Sequence, residues 1–325
     1  MQDGFGRQVD YLRVSITDRC NERCGYCMPE DHHDWLPKGQ ILSYEEIISV
    51  VKTAVSVGFR RFRITGGEPL VRRDVLPFVQ RLCALQGVES VSMTTNATLL
   101  APVADDLRRA GVSSLNISLD ALDEDLYHQL THGRLPDALA GIDAARRAGF
   151  PSIKLNTVLI KNANEGQLWP IVNFAAERGL VPRFIELMPL SSLEMIGPDR
   201  FFSAQQARDI LQRNDQLEPL PDAKLGHGPA RYYRLKKLGI TVGFISAMTD
   251  EHFCETCNKM RLTADGFVRP CLGNHGELDL KPALRHASPP RTVRDVFEEA
   301  LRDKPRDHVF GTTYTPLRIM TAIGG

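Results

Sequence analysis

The stretch that most constrains this chain is CNERCGYC, in which Cys20, Cys24 and Cys27 stand in a C-x3-C-x2-C spacing. Three thiolates so close together can share one inorganic centre, so the fold must present their loop to a ligand. Thiolate sulfur is a soft donor that suits zinc and iron-sulfur clusters. A closed structural zinc site takes four protein ligands. Three cysteines on a four-iron cubane leave one iron free to bind something else, and such a site is chemically open.

A second trio, Cys254, Cys257 and Cys271, has the spacing C-x2-C-x13-C. A zinc ribbon built from Cys24, Cys27, Cys254 and Cys257 would strand Cys20 and Cys271, so two open clusters are the simpler account. The seventh cysteine, Cys83, sits in the apolar helical stretch DVLPFVQRLCAL and reads as a small core residue. Six cysteines in two tight groups indicate metal ligation in a reducing compartment and not a disulfide framework. The first residues, MQDGFGRQVDYLRVS, carry no basic region followed by an apolar run. Neither a secretory signal nor a transmembrane helix is expected, and the predicted location is cytoplasmic. Lys plus Arg and Asp plus Glu both number 40, so no global field favours nucleic acid or membrane.

From residue 11 to about 188, β-branched segments alternate with helical patterns. The strands are YLRVSI, FRRFRIT, SVSMTT, SLNISL, IKLNTVLI and PRFIELM, and several intervening helices finish on glycine. Six strand-helix units with parallel crossovers imply an α/β barrel or a doubly wound sheet. Strand parity decides. In YLRVSI the apolar Leu12, Val14 and Ile16 share one face, leaving Arg13 and Ser15 on the other; Arg61, Arg63 and Thr65, then Asn116, Ser118 and Asp120, then Lys154 and Asn156 group likewise. A sheet covered on both faces reads apolar on both, so a polar inner face predicts an open, partial (βα)6 TIM-type barrel around a charged ligand. Met188 lies an odd number of residues from Arg183 and shares its face only past a bulge or the strand end. The first cysteine trio follows strand one, and ITGGEPL (Gly66, Gly67, Glu68, Pro69) follows strand two, both at the C-terminal mouth where barrel active sites are built. The glycines let a ligand approach the main chain with no Cβ in the way. A boundary near residue 216 is expected, giving a barrel over 1–215 and, over 216–325, a C-terminal domain that carries the auxiliary iron-sulfur cluster and closes the barrel mouth.

The first trio, with Tyr26 before its third cysteine and GGEP after strand two, resembles the signature of the radical S-adenosylmethionine superfamily. The resemblance implies a 4Fe-4S cluster on Cys20, Cys24 and Cys27 and S-adenosylmethionine on its open iron, with Tyr26 beside the adenine and Gly66, Gly67 and Glu68 at the methionyl amine. Longer motifs narrow it: DYLRVSITDRCNERCGYCMP, RFRITGGEPLVRRDV, TTNATLL, LNISLDALD, RFIELMPL, CETCNKMRLTADGFVRPCL and the closing Gly324 and Gly325 together resemble the GTP 3',8-cyclase family of molybdenum cofactor biosynthesis. That likeness implies a second 4Fe-4S cluster on Cys254, Cys257 and Cys271 that binds the guanine of GTP. It also implies a triphosphate grip from Arg13, Arg63, Lys154, Lys259 and Arg261, with Arg61 and Arg183 as further candidates, and a GTP contact at Thr94. Ser118 and Met188 would lie around the adenosyl group. Two departures stand out. TNA at 95 to 97 replaces the family's usual TNG, and Lys259 stands where Arg is common, keeping the charge but losing the bidentate fork.

The implied reaction is cyclisation of GTP to (8S)-3',8-cyclo-7,8-dihydroguanosine 5'-triphosphate. A low-potential electron donor and a downstream cyclic pyranopterin monophosphate synthase are the implied partners, and monomer and homodimer both stay open. The alternatives are a radical maturase using its second cluster for electron transfer and a zinc-stabilised binding module. The histidines read as loop or surface residues, with only His252 kept open as a ligand. In the tail, Leu317, Ile319, Met320 and Ile323 are expected to bury the segment so that Gly324 and Gly325 reach the site, as the family resemblance implies for catalysis.

Overall fold

The computed structural model describes residues 1–29, 31–190, 198–223, 225–310, 314 and 316–324. Its strands are β1 (Tyr11–Ser15), β2 (Arg61–Thr65), β3 (Ser90–Thr95), β4 (Val112–Ser118), β5 (Ile153–Leu159), β6 (Val181–Glu186), β7 (Leu217–Leu220), β8 (Arg231–Leu235), β9 (Thr241–Ile245), β10 (Lys259–Leu262), β11 (Phe267–Arg269) and β12 (Leu278–Asp279). The helices are α1 (Tyr44–Ser56), α2 (Val75–Cys83), α3 (Ala104–Arg109), α4 (Glu124–Thr131), α5 (Leu135–Arg147), α6 (Leu168–Arg178), α7 (Ala204–Gln212), α8 (Lys281–Arg285), α9 (Val293–Arg302) and α10 (Met320–Ile323).

All twelve strands form one sheet in the order β12-β11-β10-β1-β2-β3-β4-β5-β6-β9-β8-β7. The run from β10 through β1–β6 to β9 is parallel, and the outer strands add antiparallel pairs. β1–β6 are therefore the expected partial barrel, in chain order. Strands from beyond residue 216 extend it at both edges, β10 beside β1 and β9 beside β6. The order does not close on itself, so the barrel is open.

Alternation along the strands sends one set of side chains to the helices. Leu12, Val14, Phe62, Ile64, Leu115, Ile117 and Leu155 are wholly buried there, in one core with Ile47, Val50 and Val51 of α1 and Phe297 of α9. Each such side chain contributes about 1.5–3 kcal/mol through burial. Phe59 and Phe297 meet with centroids 5.4 Å apart, which fixes α9 against the start of β2. A second core, with Leu168, Val172, Phe184, Leu211, Val242 and Phe244, packs α6 and α7 on β6 and β9 and thereby holds the added edge. Capping boxes start three of the helices, from Ser43 with Glu46, Ser203 with Gln206 and Thr292 with Asp295. α6 ends at Gly179, whose φ of +66° suits glycine. No described helix is long and apolar enough to cross a membrane.

Candidate active site

The polar faces of the strands surround one cavity of about 770 Å³. Both cysteine trios border it, as do Tyr26, Gly66, Gly67, Glu68, Thr94, Ser118, Met188, Arg13, Arg63, Lys154, Arg183, Lys259 and Arg261. Met188 reaches the wall because β6 ends at Glu186, before parity would have turned it outward.

The loop after β1 places the first trio. It is held against the turn after β2 by Gly67 N–H donating to Thr17 O (2.8 Å) and Glu68 N–H donating to Arg19 O (2.9 Å). A Cβ on Gly66 would stand 2.6 Å from Thr17 O, and one on Gly67 2.3 Å from Arg19 O. Their missing side chains make room for the cysteine loop, while both residues also border the cavity. Glu68 is the clasp between strands. Its carboxylate accepts from Leu70 N (3.1 Å), Thr95 Oγ1 (2.8 Å) and Asn96 N (2.7 Å). Burial nevertheless pushes it up to about 7. Tyr26 donates to Asp120 (2.5 Å), which also accepts from Val158 N (2.8 Å). The aromatic residue of the motif is thus locked to the ends of β4 and β5. Burial raises Asp120 to about 6 and Glu22, bonded by Tyr127 OH at 2.7 Å, to about 8. Burial also raises the thiols of Cys20, Cys24 and Cys27.

The second trio sits where β10 and β11 begin and end. Burial raises Cys254 and Cys271. Cys257 moves the other way: burial would raise it, but Lys304 and Lys259 beside it outweigh that and hold it below the ordinary thiol value. Among the described residues no three His, Cys, Asp or Glu side chains close on a point for a single metal ion.

Between the trios the register lines up cations. Arg261 of β10 stands beside Arg13 of β1, and Arg13 beside Arg63 of β2. On the far wall Asn156 of β5 stands beside Arg183 of β6, which donates to Asn156 Oδ1 at 2.6 and 3.0 Å. Lys154 donates to Ser152 (2.7 Å), Arg63 to the Tyr11 hydroxyl, and Arg261 to the Gly324 carbonyl. Burial, reinforced by repulsion from neighbouring guanidiniums, lowers Lys154 to about 7 and also lowers Arg13. Burial is the main cause that brings Arg183 and Arg261 to about 10 and lowers Lys259. Tyr11 moves toward ionisation: burial resists it, yet Arg63 and Arg13 pull it down to about 8. Buried cations that repel one another are costly unless an anion joins them. Two polar atoms of the lining, Asn116 Oδ1 and Thr321 Oγ1, are buried without a hydrogen-bond partner among the described residues, a lining suited to a polar ligand.

The tail comes in as α10. Met320 N–H donates to Cys27 O (3.1 Å), Ile323 is buried, and Gly324 takes φ +79° against Ser15 and Thr65. Leu317 does not help: it is 75% exposed, against expectation, because Arg318 anchors the turn through Asp265 (2.8 Å) and Glu277 (2.9 Å). Gly325 lies outside the described residues. Arg61 turns away to pair with Asp10 and Glu89 (3.5 Å). His252 is exposed and pairs with Glu255 at 2.7 Å, away from the cavity. Two other histidines lie on loops, as read, and also reach the cavity. His227 and His308 border the cavity, His227 edge-on to Tyr11 and His308 against the Ala247 carbonyl at 2.8 Å. Nothing in their local sequence pattern marked them, since both arrive on loops from the C-terminal part.

The open sheet is a fold shared with solved proteins. A model of the Radical SAM superfamily matches residues 14–175, and a Molybdenum Cofactor Synthesis C model matches 181–310. Native anSMEcpe with bound AdoMet has the same fold at a TM-score of 0.62, with 16% identity over 92% of this chain and 82% of that one. Streptococcus suis SuiB bound to S-adenosylmethionine gives 0.61 at 15% identity, over 84% of this chain and 63% of SuiB. The class is therefore radical SAM. Within it, the chain is 43% identical to the GTP 3',8-cyclase of Pelotomaculum thermopropionicum across 100% of both sequences, and 44% identical to that of Pseudomonas putida strain GB-1 over 99% of this chain and 97% of the relative. This chain belongs to the GTP 3',8-cyclase family.

Proposed function

We propose that the chain converts GTP to (8S)-3',8-cyclo-7,8-dihydroguanosine 5'-triphosphate, the first step of molybdenum cofactor biosynthesis. The observation that carries this reading is one cavity with a cysteine trio on either side of a belt of buried cations. The residues fit the groups required: each trio offers three thiols and no fourth, so a 4Fe-4S cluster on either keeps an open iron. The chemistry supplied at Cys20, Cys24 and Cys27 is one-electron reductive cleavage of S-adenosylmethionine, giving the radical that takes hydrogen from the ribose C3' of GTP.

The chain's own part is binding, orientation and exclusion of water. Tyr26, Gly66, Gly67, Glu68, Ser118 and Met188 hold S-adenosylmethionine. Arg13, Arg63, Lys154, Lys259 and Arg261 grip the triphosphate, with Arg183 beside them, and Thr94, within 3.5 Å of Arg63, adds a hydroxyl. Cys254, Cys257 and Cys271 would hold the second cluster, whose open iron would bind the guanine of GTP. Gly324 closes the site from the tail, and catalysis is assigned to Gly324 and Gly325 together. Residues 1–215 supply the first half of this machinery and 216–325 the second. A low-potential donor and a downstream cyclic pyranopterin monophosphate synthase complete the sequence of partners, in the cytoplasm. The belt of cations favours this polyanionic nucleotide over a peptide substrate.

The test is anaerobic reconstitution with iron and sulfide, followed by GTP, S-adenosylmethionine and a chemical reductant. Formation of 5'-deoxyadenosine together with the cyclised nucleotide, read by mass spectrometry, is the expected result. Deoxyadenosine formed at the same rate without GTP, and no cyclised product, would defeat the reading.

A further inference from the structure

The buried lysine beside Cys257 does more than shift that thiol. Lys304 is 2% exposed, just past the end of α9, whose buried face of Val296, Phe297, Ala300 and Leu301 is fixed in the core. An ammonium has three N–H donors and no acceptor. Here three acceptors surround it: Pro270 O at 2.7 Å, Lys259 O at 2.8 Å and Cys257 Sγ at 3.5 Å. Pro270 precedes Cys271, and Lys259 opens β10 two residues after Cys257, so one ammonium ties together both chain segments that carry these cysteines. Its own segment is clamped in turn. Arg7, paired with Asp3 at 2.6 Å, donates to the carbonyls of Pro305 (2.6 Å), Arg306 (2.7 Å) and Cys254 (3.0 Å).

We propose that Lys304 is a positioning residue for the second cluster: it spans the two cysteine segments and gives Cys257 a charged hydrogen bond that sets the cluster's reduction potential. The inference rests on the two-cluster reading above. Hydrogen bonds to the sulfurs and local net charge are among the levers that tune such potentials. A cation at a ligating sulfur favours the reduced, more negative cluster, and removing it moves the midpoint down. A lysine that merely satisfied two carbonyls would affect folding and leave the potential alone.

The experiment uses full-length protein reconstituted anaerobically, with the second cluster identified as the electron paramagnetic resonance signal lost in Cys257→Ser. Redox titration of Lys304→Met should show that signal at a more negative midpoint, with the first cluster unshifted, and Lys304→Arg should bring it part of the way back. An unchanged midpoint in Lys304→Met overturns the proposal. If that variant does not fold, Lys304→Gln, which keeps a donor and drops the charge, decides by the same reading: a lowered midpoint supports and an unchanged one refutes. Loss of both clusters alike in both variants refutes a role specific to the second. Wild-type protein holding one cluster would instead defeat the two-cluster reading itself.

Discussion

Replacing Gly324 by alanine should uncouple radical formation from cyclisation. Gly324 sits at φ +79°, and a Cβ there would stand 2.8 Å from Ser15 Cβ and 3.3 Å from Thr65 Cγ2. The left-handed conformation costs an L-residue about 1–2 kcal/mol. Overpacking against a strand that cannot move adds about 1–3 kcal/mol. A sum of about 2–5 kcal/mol shifts the last residues from docked to undocked by roughly thirty-fold to several thousand-fold, at tenfold per 1.4 kcal/mol. The strain stays local, because Arg318 and the Met320–Cys27 hydrogen bond hold the tail upstream. Iron content, S-adenosylmethionine binding and melting temperature should match wild type, while the cyclised product falls steeply relative to 5'-deoxyadenosine. Deletion of Gly324 and Gly325 should do the same without any clash. Wild-type product yield in either variant would show that the tail's approach to Ser15 and Arg261 is not needed for hydrogen abstraction from GTP.

Cys257→Ser should lose only the second cluster and still cleave S-adenosylmethionine; loss of both clusters together would argue against two independent sites. Arg261→Ala removes a buried charged donor, so GTP should bind about 1.5–3 kcal/mol more weakly, roughly ten- to a hundredfold; isothermal titration giving equal affinity for guanosine and GTP in wild type would refute the grip. Lys154, held at about 7, must take up a proton to meet a phosphate above that pH. GTP affinity should therefore fall by up to tenfold per unit between about pH 7.5 and 9. Lys154→Arg should flatten most of that slope, leaving what Tyr11, at about 8, contributes; a flat wild-type profile would contradict the assignment. The same depression makes the ligand-free fold gain stability as pH rises above about 7, since the unfolded chain binds the proton there and the folded one does not. Ala97, wholly buried at φ +65° where the family usually has glycine, offers a balance. In Ala97→Gly, relief of about 1–2 kcal/mol of left-handed strain is offset by the lost methyl and by a freer unfolded chain, so thermal unfolding should move by less than about 1 kcal/mol.

Much of this protein was determined by sequence alone. Period-two alternation in YLRVSI, LNISLD and IKLNT separates core from cavity, because a strand's side chains have only two directions to take. The cysteine spacings and the GGEP turn located the mouth for the same local reason: they are short, contiguous and tied to strand ends. Tertiary structure alone decided what depends on distant segments meeting. It set β10 and β9 on the two edges of the barrel, aligned Arg261 with Arg13, and brought Lys304 to Cys257 and Gly324 to Ser15. It also turned Arg61 outward to Asp10 and brought His227 and His308 to the cavity wall. Those placements follow from which apolar faces pack together, α9 on one edge and α7 on the other, and no local pattern encodes the side chains that such packing carries into contact.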